Sequence, residues 1–164
     1  MFEHWESYYK DKLILPGEME EKVKVVRNSK KIATLNGSFD LLHAGHLHII
    51  YQASLQADIL IVALNSDSSI KQYKSPLRPI VPLEYRLKMM AAIGFVVYVT
   101  WFDELDPRKI LSLIKPDVHV NGAEYGKNCI EKEIVESYGG RIHIVELIPS
   151  LSTTSLIEKI NSCA

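Results

Sequence analysis

Apolar residues in this chain fall into short, β-branched runs separated by longer stretches with apolar positions every three or four residues. The runs at 32–35, 59–64, 96–100, 118–120 and 142–147 are nearly continuous in apolar character, as strands covered on both faces require. The stretches at 45–55, 83–93, 107–114, 130–137 and 153–160 have helical spacing. Strand alternating with helix predicts right-handed βαβ crossovers. The expected fold is α/β: a doubly wound, five-stranded parallel sheet with helices on both faces. Such sheets bind ligands beyond the carboxyl ends of their strands, where strand order reverses. Asn36, Asn65, Asn121 and the loop after Leu147 fall at those ends.

Residues 1–30 break the pattern. They are charged, Pro16-Gly17 interrupts them, and Glu18 to Arg27 reads as a short helix. They are expected to form an N-terminal extension that packs on the main domain at 31–164 or serves an interface. At 164 residues the chain suits one domain with a sizeable core. A net charge of −1 removes the electrostatic case for nucleic acid as a partner. Two cysteines, Cys129 and Cys163, make no disulfide framework and fit a reduced compartment. The start, Met1 to Glu6, is acidic and aromatic and lacks a signal-peptide core. No apolar run approaches the ~18–20 residues of a membrane span. The expectation is a cytoplasmic protein with no membrane partner.

The chemistry concentrates between Asn36 and His46, in Asn36-Gly37-Ser38-Phe39-Asp40-Leu41-Leu42-His43-Ala44-Gly45-His46. This is a strand-to-helix turn with two histidines at the helix mouth. A helix N-terminus presents unpaired N–H groups and partial positive charge to an anion. Gly45 lets backbone approach a ligand, and His43 and His46 add donors that strengthen as charge grows on a phosphorus. The competing readings are surface or capping histidines, and a zinc site that recruits His48. Against zinc, His46 and His48 face different sides of a helix and the cysteines lack ligand spacing. Elsewhere, Ser152-Thr153-Thr154 opens the last helix, either as a cap or as a phosphate cradle. Arg86 lies one turn into its helix, within reach of a phosphate or simply in solvent. Lys74 sits on a polar loop able to close over the site. Asp40 orients a histidine, helps place Mg²⁺ or caps the turn.

The run Asn36 to His46 resembles the first signature of the HxGH nucleotidyltransferase superfamily, in its cytidylyltransferase-like branch, whose sheet is Rossmann-like. Asn65-Ser66-Asp67, Lys74, Arg78-Pro79, Pro82-Leu83-Glu84-Tyr85-Arg86 and Ser152-Thr153-Thr154 extend the likeness. Together they resemble the adenylyltransferase domain of ADP-heptose synthesis. The resemblance implies catalytic roles for His43, His46, Lys74 and Arg86. It implies nucleotide binding by Asn36, Gly37, Ser38, Phe39, Asp40, Gly45, Asn121, Gly122, Ser152, Thr153 and Thr154, and substrate binding by Asn65, Asp67, Arg78 and Glu124. No protein metal ligand is expected, because Mg²⁺ would arrive with the nucleotide triphosphate. The implied reaction joins ATP and heptose 1-phosphate into ADP-heptose for lipopolysaccharide core synthesis, by a homodimer. The alternatives are a CTP-dependent cytidylyltransferase of the glycerol-3-phosphate type and a non-catalytic nucleotide-binding module. One departure stands out. The heptose enzymes carry Lys-Gly-Gly-Asp-Tyr after the fourth strand, and this chain has Asn121-Gly122-Ala123-Glu124-Tyr125.

Overall fold

The five β-branched runs become five strands: β1 (Ile32–Gly37), β2 (Ile59–Asn65), β3 (Tyr98–Phe102), β4 (Val118–Gly122) and β5 (Arg141–Val145). The computed structural model describes residues 5–126, 128–146, 148 and 152–163, so Leu147, expected in the last strand, lies outside the described residues. All pairings are parallel, in the order β3-β2-β1-β4-β5. Strand order therefore reverses between β1 and β4, the doubly wound arrangement expected from the alternation. Eight helices connect and flank the strands among the described residues: α1 (Trp5–Lys12), α2 (Met19–Arg27), α3 (Ala44–Ser54), α4 (Asp67–Tyr73), α5 (Leu83–Ala92), α6 (Arg108–Ile114), α7 (Lys132–Ser137) and α8 (Thr153–Cys163). No helix among them is long and apolar enough to cross a membrane.

The two-residue period of the strands builds two cores. Leu35, Leu60, Val62, Leu64 and Val120 face Ile50 of α3 and Leu87 and Met90 of α5, with Tyr9 of α1. Ile32, Ile59 and Ile61 face Met19 and Val23 of α2 and Ile110 and Ile114 of α6. The N-terminal segment packs on the sheet. Leu13 bridges Val99, and the Ile14 N–H donates to the Val99 carbonyl at 2.9 Å, which covers the exposed edge of β3. Lys12 Nζ donates to the carbonyls of Ala91 (2.9 Å) and Val96 (2.7 Å) where α5 ends, satisfying acceptors that the helix leaves unpaired.

Helix α4 falls where the sequence reading places a loop. Only Ser69 and Ile70 of its seven residues are buried, so it has no apolar stripe to signal it. Its start is set by Ser66, whose side chain accepts from the Ser69 N–H at 3.2 Å. Lys74 is therefore the C-terminal cap of a helix.

Candidate active site

Strand β1 delivers the chain to a tight turn beyond the sheet. Phe39 adopts a left-handed conformation (φ 46°), a costly one for a large side chain. It folds its ring over Gly37, where an added Cβ would come within 3.1 Å of the ring. The Phe39 ring then meets His46 edge-on, with centroids 5.3 Å apart. His43 is extended and caps α3 by position, without a side-chain capping bond. The first-turn N–H groups of α3 have no helical partner, and Gly45 and His46 of that turn line the site. The His43 and His46 rings stack at 3.8 Å between centroids, 23° from parallel.

Both nitrogens of His43 and Nδ1 of His46 are buried without a hydrogen-bond partner, which is uncommon for polar groups in a folded protein and points to a ligand. Burial pushes both imidazole pKa values down, and His43 and Lys74 nearby add to the effect on His46, which reaches about 4. Both rings are then neutral near pH 7 and each has one N–H, which in His46 also has the Leu41 backbone as a partner.

The pair opens into a cavity of about 550 Å³ at the point of strand reversal, a size that suits a nucleotide-sized ligand. The wall holds Asn36, Gly37, Ser38, Phe39, Asp40, His43, Gly45, His46, Asn65, Lys74, Asn121, Gly122, Glu124, Ser152, Thr153 and Thr154. Ser152 caps α8 by accepting from the Ser155 N–H at 3.1 Å, which leaves the Thr153 and Thr154 hydroxyls to a ligand. Burial lowers the Lys74 pKa, and the Arg78 charge adds to it.

Arg86, Asp67 and Arg78 do not line the cavity. The phosphate contact expected of Arg86 is replaced by a structural role. Its side chain is wholly buried and donates to Val81 O (2.9 Å), Ser38 O (2.7 Å), Asn65 O (2.9 Å) and Asp67 Oδ1 (2.6 Å). It thereby ties the ends of β1 and β2 to α4 and α5. Arg78, expected at the substrate, donates to the Asp40 carboxylate at 2.6 Å. Asp40 also accepts from the N–H groups of Ile80 and Val81, each at 2.8 Å. Burial raises the Asp40 pKa, but the Val81 and Ile80 N–H groups and the Arg78 guanidinium outweigh it and hold the group below the ordinary range. Of the three roles open to Asp40 in the sequence, the carboxylate performs one akin to capping. It anchors the 78–81 loop.

Four polar wall residues are missing from the expected site residues: Tyr73, Asp106, Tyr125 and Glu131. The Tyr73 hydroxyl hydrogen-bonds Ser38 Oγ at 2.6 Å and so fixes the turn from the α4 side. Glu131 is 4% exposed, and its Oε2 accepts from Asn121 Nδ2 at 3.3 Å. A signal for it exists in the sequence. It lies four residues before Val135, the buried residue of α7, and so on the inward face. The described residues contain no group of three or more His, Cys, Asp or Glu side chains able to hold a metal ion.

His119 is wholly buried on β4, with Nδ1 2.8 Å from Thr34 Oγ1, and burial pushes its pKa to about 3. His46 and His119 thus titrate below the ordinary histidine value of about 6.5. Between about pH 4 and 6.5 the unfolded chain binds protons at these positions that the folded protein refuses. Their stabilising contribution is complete above about pH 6.5 and is lost as the pH falls. Stability from urea unfolding is expected to drop by roughly 2–4 kcal/mol between pH 7 and pH 5. Equal stability at the two pH values would contradict this.

The family model described as cytidylyltransferase-like matches residues 34–163. The chain is 42% identical over 134 residues to bifunctional protein HldE of Hahella chejuensis, covering 81% of this chain and 28% of that protein. It is 36% identical over 159 residues to bifunctional protein HldE of Syntrophotalea carbinolica, covering 96% and 32%. The chain thus spans about a third of the curated relatives it matches. Among solved structures, a lipopolysaccharide core biosynthesis protein from Thermoplasma volcanium superposes with a TM-score of 0.60 at 24% identity, covering 73% of this chain and 97% of that one. A pantoate-beta-alanine ligase from Francisella tularensis superposes with a TM-score of 0.64 at 16% identity, covering 90% and 73%. Both structures share the fold.

Proposed function

The chain belongs to the cytidylyltransferase-like family, and we propose that it transfers an adenylyl group from ATP to heptose 1-phosphate, yielding ADP-heptose and pyrophosphate. The observation that carries the reading is the stacked, neutral His43–His46 pair, with unpartnered nitrogens in the cavity at the mouth of α3. Similarity to the HldE proteins and the motifs resembling the adenylyltransferase domain of ADP-heptose synthesis support the choice of substrates. The product would serve lipopolysaccharide core synthesis.

In this reading an oxygen of the sugar phosphate forms a bond to the α-phosphorus of ATP. The bond from that phosphorus to the bridging oxygen breaks, and pyrophosphate leaves with the electron pair. The nucleophile is already an anion, so the site needs no strong base. Catalysis then rests on positioning and electrostatic stabilisation. His43 and His46 donate to phosphate oxygens, most strongly in the crowded transition state. Lys74 and the N-termini of α3 and α8, with Thr153 and Thr154, hold the triphosphate. The Asp40 carboxylate is taken up by the 78–81 loop. Mg²⁺ would be carried by the nucleotide's phosphates and water and would neutralise their charge.

The family description, cytidylyltransferase-like, supports a second reading in which CTP is the nucleotide, and the acceptor would then be an alcohol phosphate. Titration calorimetry with Mg²⁺-ATP and Mg²⁺-CTP separates the two. Adenylyl transfer predicts tighter ATP binding, by roughly tenfold or about 1.4 kcal/mol. Tighter CTP binding would move the protein to the second reading.

A further inference from the structure

We propose that Glu131 is a substrate-binding residue whose carboxylate accepts hydrogen bonds from sugar hydroxyls and so helps select the sugar. This rests on the nucleotidyl-transfer reading of the same cavity. Glu131 is 4% exposed yet lines the cavity wall. It stands at the N-cap position of α7, but its side chain makes no capping bond, so the usual local role for an acid there is absent. Two side chains reach the carboxylate: Asn121, itself 3% exposed at the end of β4, donates to it at 3.3 Å, and the Cys129 thiol is a weak donor beside it. The Cys129 thiol lies against the same two side chains, where burial raises its pKa and keeps it protonated. No ion pair to Glu131 forms among the described residues.

An ionised carboxylate is acceptor-only, with about four lone-pair sites. Burying one with so few donors is costly unless a ligand supplies the rest. The chemistry of that ligand follows from the surroundings. Glu124 lines the same wall, so two carboxylates repel phosphate from it. The His pair and Lys74 draw phosphate elsewhere in the cavity. No three-ligand metal cluster exists among the described residues. The remaining neutral donors in a sugar nucleotide reaction are the amino group of the base and the hydroxyls of the ribose or the acceptor sugar, and the hydroxyls are the ones that deoxy analogues test directly. A charged acceptor matched to a hydroxyl discriminates strongly against analogues that lack it.

The test is equilibrium binding by titration calorimetry of ATP and of heptose 1-phosphate, each alone, to wild type and to Glu131→Gln. Loss of a hydrogen bond to a charged group predicts a roughly 10–100-fold weaker Kd for one ligand and little change for the other. A weakened ATP Kd assigns the ribose, and 2′-deoxy-ATP or 3′-deoxy-ATP then loses no further affinity in the variant. A weakened heptose 1-phosphate Kd assigns the acceptor. Both Kd values within about twofold of wild type in a folded variant would overturn the proposal. Should the glutamine variant not fold, Glu131→Asp, which withdraws the charge by one methylene, is read the same way. Wild type itself must bind at least one of the deoxynucleotides or a deoxy sugar 1-phosphate at least ~10-fold more weakly, and equal binding of all of them would also overturn it. Pyrophosphate release is measured separately. A wild type that binds both ligands without releasing pyrophosphate would sink the adenylyl-transfer reading and leave this measurement standing.

Discussion

His46→Ala is expected to lower turnover at least ~100-fold, and as much as ~1000-fold, with the fold intact. In the proposed mechanism the imidazole is one preorganised donor to a developing charge, worth about 2.7–4 kcal/mol in comparable oxyanion sites. Folding should not suffer, because the ring brings a liability to the folded state. His46 Nδ1 is buried without a partner, a cost that the ring brings to the folded state. Removing the ring also removes that cost and leaves His43 without its stacking partner at 3.8 Å. The measurement is kcat for pyrophosphate release beside a thermal melt. Near-normal kcat in a variant that melts like wild type would remove the proposed mechanism. Loss confined to KM would instead give His46 a ground-state binding role.

Arg86→Met is expected to cost about 3–5 kcal/mol of stability, the range seen when one partner of a buried charged network is removed. The methionine keeps much of the volume but none of the donors. Three carbonyls, from Ser38, Asn65 and Val81, and the Asp67 carboxylate would lose the guanidinium they share. Asp67 is partly exposed and recovers water, so the larger share of the loss falls on the carbonyls. For a domain of this size, such a loss lowers Tm by roughly 6–20 °C. Arg86→Lys should rescue little, since one ammonium cannot span four acceptors on separate elements. Scanning calorimetry decides. A Tm within about 2 °C of wild type would mean that the network contributes little. A folded variant with normal Tm but weakened ATP binding would restore the phosphate contact that the sequence suggests for Arg86.

The contrast between these two residues shows what the sequence makes legible. His43 and His46 lie within one short segment, so their strand-turn-helix setting can be read from the sequence alone. The central strands are equally plain, since they are buried on both faces; the edge strands are less so, β3 starting two residues after its apolar run and β5 being only part-buried. Arg86 is different. Its acceptors come from positions 38, 65, 81 and 67, and three of them are backbone carbonyls that no sequence pattern marks. A hint remains in the spacing: Arg86 falls between Leu83 and Met90, on the stripe that α5 buries. Helix α4 is not legible, because a polar helix held by Ser66 and by Ile70 carries no periodic signal. Asp40 and Arg78 are each visible as charged residues, but their 2.6 Å pairing joins two loops and is a product of the tertiary fold.

The departure at Asn121 also gains a physical context. The heptose-type pattern has a lysine at this position, and here a neutral amide donates to the buried Glu131. The site therefore carries one positive charge fewer and an acidic wall formed by Glu124 and Glu131. In the proposed reading that change would bear on the choice of sugar more than on the phosphates, because the histidines, Lys74 and the α8 threonines occupy the same cavity regardless.

Pyrophosphate release with Mg²⁺ is the most direct test, with ATP or CTP each paired with heptose 1-phosphate or glycerol 3-phosphate. The account predicts release with ATP and heptose 1-phosphate and none with CTP and glycerol 3-phosphate. Release from the CTP and glycerol 3-phosphate pair alone, or from no pair although ATP binds, would contradict it.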